Sequence, residues 1–411
     1  MAIAARVRTY CLEAQERLLF QFGFIVLCAG LPISTSVIEI GKGIIIVSFL
    51  IALIRRRASV PLRDIRIITA SLFFLFIIIS SVIASFGPHA AHSWGRFPGM
   101  LAFFLLFISF AAMFDIRRDA PLILVLFAAM AVNGGVIIRD FIITHERSGG
   151  LFHPVMSNVH FWPAVTLINL GIAAFVRRTG ARIFWSALLA MNIVVIGCLF
   201  STTSFIVFPI LFVALVIAIA PRRIALFTVF AVLLAAIVLM FMFQNRLLDT
   251  PLQQKIEQVM SNRHIGVSQR AHFWRGAGEL ISERPFFGIG NGLWKYYFYE
   301  GTAAGRDYVA KGMDGYYFHA HNNAIEIAVA YGMPALLAVI AFFAAVFIKG
   351  SSFLRTLFSR GRREFAVCAA IYAGIIAVLL QGMSDYTLFA VTGGSFVWAL
   401  LGAFIAMEQR R

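Results

Sequence analysis

"IFWSALLAMNIVVIGCLFSTTSFIVFPILFVALVIAIAP", residues 183–221, runs for 39 residues without a charged side chain. A helix needs ~20 predominantly apolar residues to cross the hydrocarbon of a bilayer. The run is too long for one crossing and long enough for two, with a hairpin at the polar residues 201–204. Residues 67–95 and 224–244 are further uncharged runs. Inside lipid the backbone must satisfy its own hydrogen bonds, and the short alternating segments of a membrane barrel are absent, so these spans are helices. Composition agrees: hydrophobic residues make up 61%, charged residues 13%, and the mean hydropathy is +0.87.

The same rule places about twelve spans, near residues 18–35, 37–54, 67–85, 98–114, 121–138, 157–176, 183–200, 204–220, 224–243, 323–348, 366–383 and 387–407. The fold class is therefore an all-α integral membrane protein. Its basic residues fall in alternate connections: Arg55, Arg56, Arg57, Arg63 and Arg66; then Arg117 and Arg118; Arg177, Arg178 and Arg182; Arg222 and Arg223; Lys349 to Arg363; and Arg410. By the positive-inside rule these connections and both termini are cytoplasmic. The net charge of +16 is then a topology signal. It is dispersed over short loops with no basic groove, which argues against nucleic acid as a partner. Residues 1–18 read as a cytoplasmic interfacial helix with no cleavage site after it. The four cysteines suggest neither a disulfide framework nor a metal site.

This organisation divides the chain into spans one to nine (1–243), a large extracytoplasmic loop (244–322) and three last spans (323–411). A loop of that length should carry its own structure. Residues 252–260 and 268–284 read as amphipathic helices, the second with Phe273, Trp274, Ala277, Leu280 and Ile281 on its apolar face and Pro285 at its end. "GIGNG", residues 288–292, is a turn. Trp294, Tyr296, Tyr297 and Tyr299 are expected at headgroup level. The loop ends in "YYFHAHNNAIEIAVAYGMPALL", residues 316–337. A helix starting near Asn322 puts His321 at its N-terminus, where free N–H groups and the helix dipole favour an anion. His319, His321, Asn322 and Asn323 also read simply as capping and interfacial polar residues.

From His321, "HNNAIEIAVAYGMP" resembles a motif of the O-antigen ligase and polymerase superfamily, bacterial enzymes that move glycan from undecaprenyl pyrophosphate to an acceptor. "SQRAHFWRGAGELISERPFFGIGNG", residues 268–292, resembles the arginine-bearing helix and following turn of the same proteins, and "RSGGLFHPVMSN", residues 147–158, their earlier extracytoplasmic loop. The resemblance implies the C-type glycosyltransferase architecture and transfer with inversion at the anomeric carbon; with no Asp-x-Asp or His-rich cluster in the large loop, no metal or other cofactor is expected. It implies an undecaprenyl-pyrophosphate-linked glycan as donor and lipid A-core as acceptor, at the periplasmic face of the bacterial inner membrane. The absence of a further soluble domain favours a ligase over the superfamily's protein-modifying enzymes; ligase and polymerase stay open.

Pyrophosphate is already a good leaving group, so the protein must hold it, neutralise its developing charge and deprotonate an acceptor hydroxyl. Arg270 suits the first two tasks through its bidentate guanidinium, and His321 the third. Members of the superfamily usually carry a further arginine after the hairpin that here reads "STTSF", residues 201–205, and this chain has none there. Arg147 or Arg139 could supply a second cation; either also reads as a loop charge. Asn322 and Lys42 are further substrate-binding candidates, although Lys42 is one turn from Glu39 and so placed to pair with it. Asp385 can orient the base or the acceptor, or be a turn residue. A transporter is the rival reading. It would show polar residues at the midplane of repeated spans, whereas here they gather in the outer loop.

Overall fold

A computed structural model describes residues 2–144, 148, 150–151, 155–199, 201–231, 265–312, 319–360 and 362–410. Among them the regular structure is helical: α1 (Ala2–Gly30), α2 (Thr35–Ile54), α3 (Ile65–Ala84), α4 (Ala90–Met113), the single turn α5 (Ile116–Asp119), α6 (Ile123–Thr144), α7 (Val155–Phe175), α8 (Thr179–Leu199) and α9 (Thr202–Ile219). After these come α10 (Ile265–Glu283), α11 (Trp294–Gly301), α12 (Ala303–Ala310), α13 (Asn323–Tyr331), α14 (Met333–Arg360), α15 (Arg362–Gln381) and α16 (Val391–Gln409). Nine helical segments among the described residues are long and apolar enough to cross a membrane, and α9 is a shorter apolar helix. Residues 222–231 are helical; the rest of the span expected at 224–243 and the helix expected at 252–260 lie outside the described residues.

Three expectations are corrected. α1 is one continuous helix rather than an interfacial segment followed by a span, since no proline interrupts residues 2–30. Its charged turn is absorbed by partners at the arginine-rich end, Arg17 on Asp119 and Glu16 on Arg55 at 2.9 Å. The span expected at 323–348 is broken: α13 stops at Gly332, whose φ of +88° leaves the helical region. A Cβ there would lie 2.2 Å from the Phe286 carbonyl oxygen, so only glycine fits. The segment after α10 docks on this break, with Ile289 and Gly290 N–H donating to the carbonyls of Val329 and Ala330, and Met333 N–H to Pro285. The last-turn carbonyls that a helix end leaves bare are thereby satisfied.

The third correction concerns the outer aromatics. Trp294 and Tyr299 are buried in a small core with Phe273, Leu280, Phe298 and Tyr308, because α10, α11 and α12 pack on one another and on α13 and bury their large rings. The membrane core is separate and joins Phe73, Phe74, Phe107, Phe342 and Trp398 across α3, α4, α14 and α16. At the arginine-rich end Arg66, 1% exposed, pairs with Asp64 at 2.7 Å and with Glu408, tying α3 to α16. A cavity of about 760 Å³ also opens there, beside Arg117, Arg360 and Arg410. The opposite end carries the small α10–α13 assembly and the polar cluster described next.

Candidate functional site

The cluster is built on the start of α13. Asn322 has extended backbone and its side-chain oxygen accepts from the N–H groups of Ala324 and Ile325, an N-cap for which asparagine is among the best residues. The N–H of Asn323 donates to the carbonyl of Gly382 at 2.7 Å. The leading amides of this helix are therefore engaged, which corrects the expectation that free N–H groups would receive an anion there; the field of the helix dipole remains. The side chain of Asn323 clamps the 382–388 segment, bonding to Thr387 through both its ends.

His321 sits one residue before the cap with φ +53°, a left-handed conformation that histidine tolerates better than most side chains. Its neighbours hold it there. Ala320 N–H donates to Glu326 at 2.8 Å, Trp274 Nε1 donates to Ala320 O at 3.2 Å, and Asn322 Nδ2 donates to Met383 O at 2.8 Å. The loop is thus fixed from α10, from α13 and from residue 383, the over-determination that a strained backbone position needs.

Across this turn lies Asp385. Its Oδ2 is 2.9 Å from His160 Nε2 and its Oδ1 is 3.4 Å from His321 Nδ1. Burial alone would raise its pKa, but the bonds to His160 and His321 hold it well below the usual carboxylate range. His319 stacks on Tyr386 with ring centroids 5.1 Å apart and meets His321 edge-on at 4.3 Å. Burial, then the nearby His321, lowers the pKa of His319 to about 4, so it is uncharged at neutral pH. Phe273 of α10 stacks on His321 at 5.9 Å. Below the turn, burial pushes Glu326 up to about 7, against the Ala320 hydrogen bond and the charge of Arg96.

Arg96 enters from α4. Its aliphatic end lies flat on Gly292, where φ is +69° and a Cβ would come within 2.4 Å of Arg96 Cδ. Its charge reaches His319, Glu326 and Tyr386. It is exposed, and among the described residues it has neither an ion pair nor a hydrogen bond.

Residues 185–340 match the family model described as O-antigen ligase. That segment is similar to the O-antigen ligase family. No curated protein matches the chain. The matched segment runs from α8 into α14 and contains Arg270, His319, His321 and Asn322, while Arg96, His160 and Asp385 come to the same cluster from outside it.

The other residues singled out in the sequence are placed as follows. Arg270 is exposed on α10, one turn before Phe273 and Trp274, which touch His321 and Ala320. Asn322 has both polar ends of its side chain engaged within the fold. Lys42 is buried in α2, bonded to Glu39 at 2.8 Å and set over the ring of Phe103; it is outside the histidine cluster. Arg139 is exposed and pairs with the adjacent Asp140 at 2.6 Å. Arg147 lies outside the described residues.

The sequence reading missed His160 and Arg96. Each carried a signal. His160 is a histidine near the start of an otherwise apolar span, and a titratable group there is by default a functional candidate. Arg96 is an arginine beside a connection that the sequence reading expects outside the cytoplasm, where the positive-inside rule expects few.

Proposed function

We propose that this protein is an O-antigen ligase, transferring O-antigen polysaccharide from undecaprenyl pyrophosphate to lipid A-core at the periplasmic face of the bacterial inner membrane. The observation that carries the reading is the His321–Asp385 pair, at the end of a membrane-helix bundle opposite the Arg66 ion pairs, with His321 inside the matched segment. Asp385 facing Nδ1 favours the tautomer with its proton on that nitrogen, so the Nε2 lone pair takes the proton of an acceptor hydroxyl.

The freed acceptor oxygen attacks the anomeric carbon from the face opposite the pyrophosphate. The bond from that carbon to the phosphate oxygen breaks, configuration inverts, and undecaprenyl pyrophosphate leaves with the electron pair. Arg270 and Arg96 neutralise the charge on it, and a guanidinium meets phosphate oxygens in the bidentate way a lysine cannot. With base and cations supplied by side chains, the reaction we propose needs no metal. Its end state is a polymer attached to core.

Deletion of the gene, followed by gel analysis of lipopolysaccharide, tests the reading. A ligase leaves core without O-chain and polymer on its lipid carrier. Core bearing a single repeat would identify a polymerase instead, and unchanged lipopolysaccharide would overturn both.

A further inference from the structure

His319, His321 and Asp385 each present one donor atom, and all three atoms lie within 4.8 Å of one another. Two of these residues are nearer still: Nδ1 of His321 and Oδ1 of Asp385 are 3.4 Å apart, close to the edge of a coordination tetrahedron whose metal–ligand bonds are ~2.0–2.2 Å. Two imidazoles and one carboxylate are a donor set that zinc and its neighbours take in preference to magnesium or calcium. His160, bonded to the second oxygen of Asp385 at 2.9 Å, supplies the outer-shell partner that orients a ligating carboxylate. Three protein ligands leave a fourth position for water or a substrate oxygen.

We propose that His319, His321 and Asp385 form a reversible binding site for Zn²⁺ and that occupancy of this site inhibits sugar transfer. Binding follows from the donor geometry. Inhibition rests on the reading of His321 as the base: a ring whose lone pair is committed to a metal, beside a dication that displaces its proton, cannot accept the proton of a hydroxyl. The metal is a regulator of a reaction that runs without it. Zn²⁺ loss would restore transfer, because nothing else at the site changes covalently. The site needs a contraction of its widest separation toward the tetrahedral spacing, and His319, which stands on the ring of Tyr386, is the ligand placed to supply it.

The experiment uses the purified full chain in lipid nanodiscs, stripped with EDTA and exchanged into buffer. Zn²⁺ itself is titrated in competition with a fluorescent chelator, and Co²⁺ is added to a parallel sample to read coordination from its visible d–d bands. One equivalent should bind per chain, with the intense Co²⁺ absorption of a four-coordinate site. His319→Gln and Asp385→Asn should each weaken binding roughly tenfold or more. Absence of binding, or binding that neither substitution weakens, overturns the site and leaves the base assignment standing. In single-turnover transfer, inhibition should follow the binding curve and reverse with EDTA. Zn²⁺ held at the cluster without inhibition would overturn His321 as the base and leave the metal site intact.

Discussion

Nδ1 of His321 stands 3.4 Å from Oδ1 of Asp385, one residue preceding and the other following the α14–α15 helical hairpin in the chain. The pairing assigns different costs to its members. His321→Ala removes the proposed base, so transfer should fall by ~10² to 10⁴ while donor binding is kept. Asp385→Asn retains the shape of the site but favours the wrong imidazole tautomer, and a comparable loss in rate is expected, again without loss of donor affinity. Donor binding and single-turnover transfer in nanodiscs separate the two quantities. If folded His321→Ala protein transfers sugar at the wild-type rate, the histidine is only part of the helix cap.

Arg96 and Gly292 make a linked prediction. Arg96→Ala should weaken donor binding roughly tenfold to a hundredfold, the range for one charge-assisted contact, and Arg96→Lys should recover part of it. Gly292→Ala puts a methyl group where the arginine lies and adds backbone strain at φ +69°. It should therefore lower donor affinity in the same direction without touching a charge. Normal affinity in both Arg96→Ala and Gly292→Ala would remove Arg96 from the donor site and leave Arg270 as its cation.

The membrane helices were legible because uncharged runs of span length have one physical solution in lipid. The apolar face of α10 was largely plain: Phe273, Ala277 and Leu280 recur at helical spacing and are buried, whereas Trp274, expected with them, is exposed. What sequence did not yield depends on contacts between distant segments. Gly332 looks like any helical glycine until Phe286 is seen against it. The amides before it looked free because their acceptors, Gly382 and the Asn322 side chain, were not visible in the local pattern. Asp385 could be named as a candidate, but its bond to His160 joins residues 225 apart in the chain.

Orientation has its own test. Ala310 is exposed at the end of α12 and Ser359 is exposed near the end of α14, on the arginine-rich side. A cysteine at position 310 should react with a membrane-impermeant thiol reagent in spheroplasts and one at 359 should react only after permeabilisation, as the arginine distribution requires. Both variants are made with Cys11 replaced by serine, and the native Cys28, Cys198 and Cys368 are buried and give little background. The reverse labelling pattern would put the histidine cluster in the cytoplasm and end the ligase proposal.

Glu326 makes stability depend on pH. Burial raises its pKa from 4.5 to about 7 in the folded protein, and α13, which carries it, lies outside the candidate spans. Below pH 4.5 the carboxyl is protonated in both folded and unfolded chains and its contribution to stability is fully present. Between 4.5 and 7 the unfolded chain releases the proton while the folded one keeps it, so stability falls as pH rises through that window. Across the whole window the loss is about 3 kcal/mol, since a tenfold change in proton activity is worth ~1.4 kcal/mol. Glu326→Gln keeps an oxygen to accept from Ala320 N–H and removes the titration. Thermal unfolding in nanodiscs should therefore show the wild type losing stability relative to the Gln variant from pH 5 to 8, with the difference levelling off above the folded pKa. Parallel curves would mean that Glu326 is ionised in the fold, held by Arg96 and the Ala320 amide more strongly than burial opposes it.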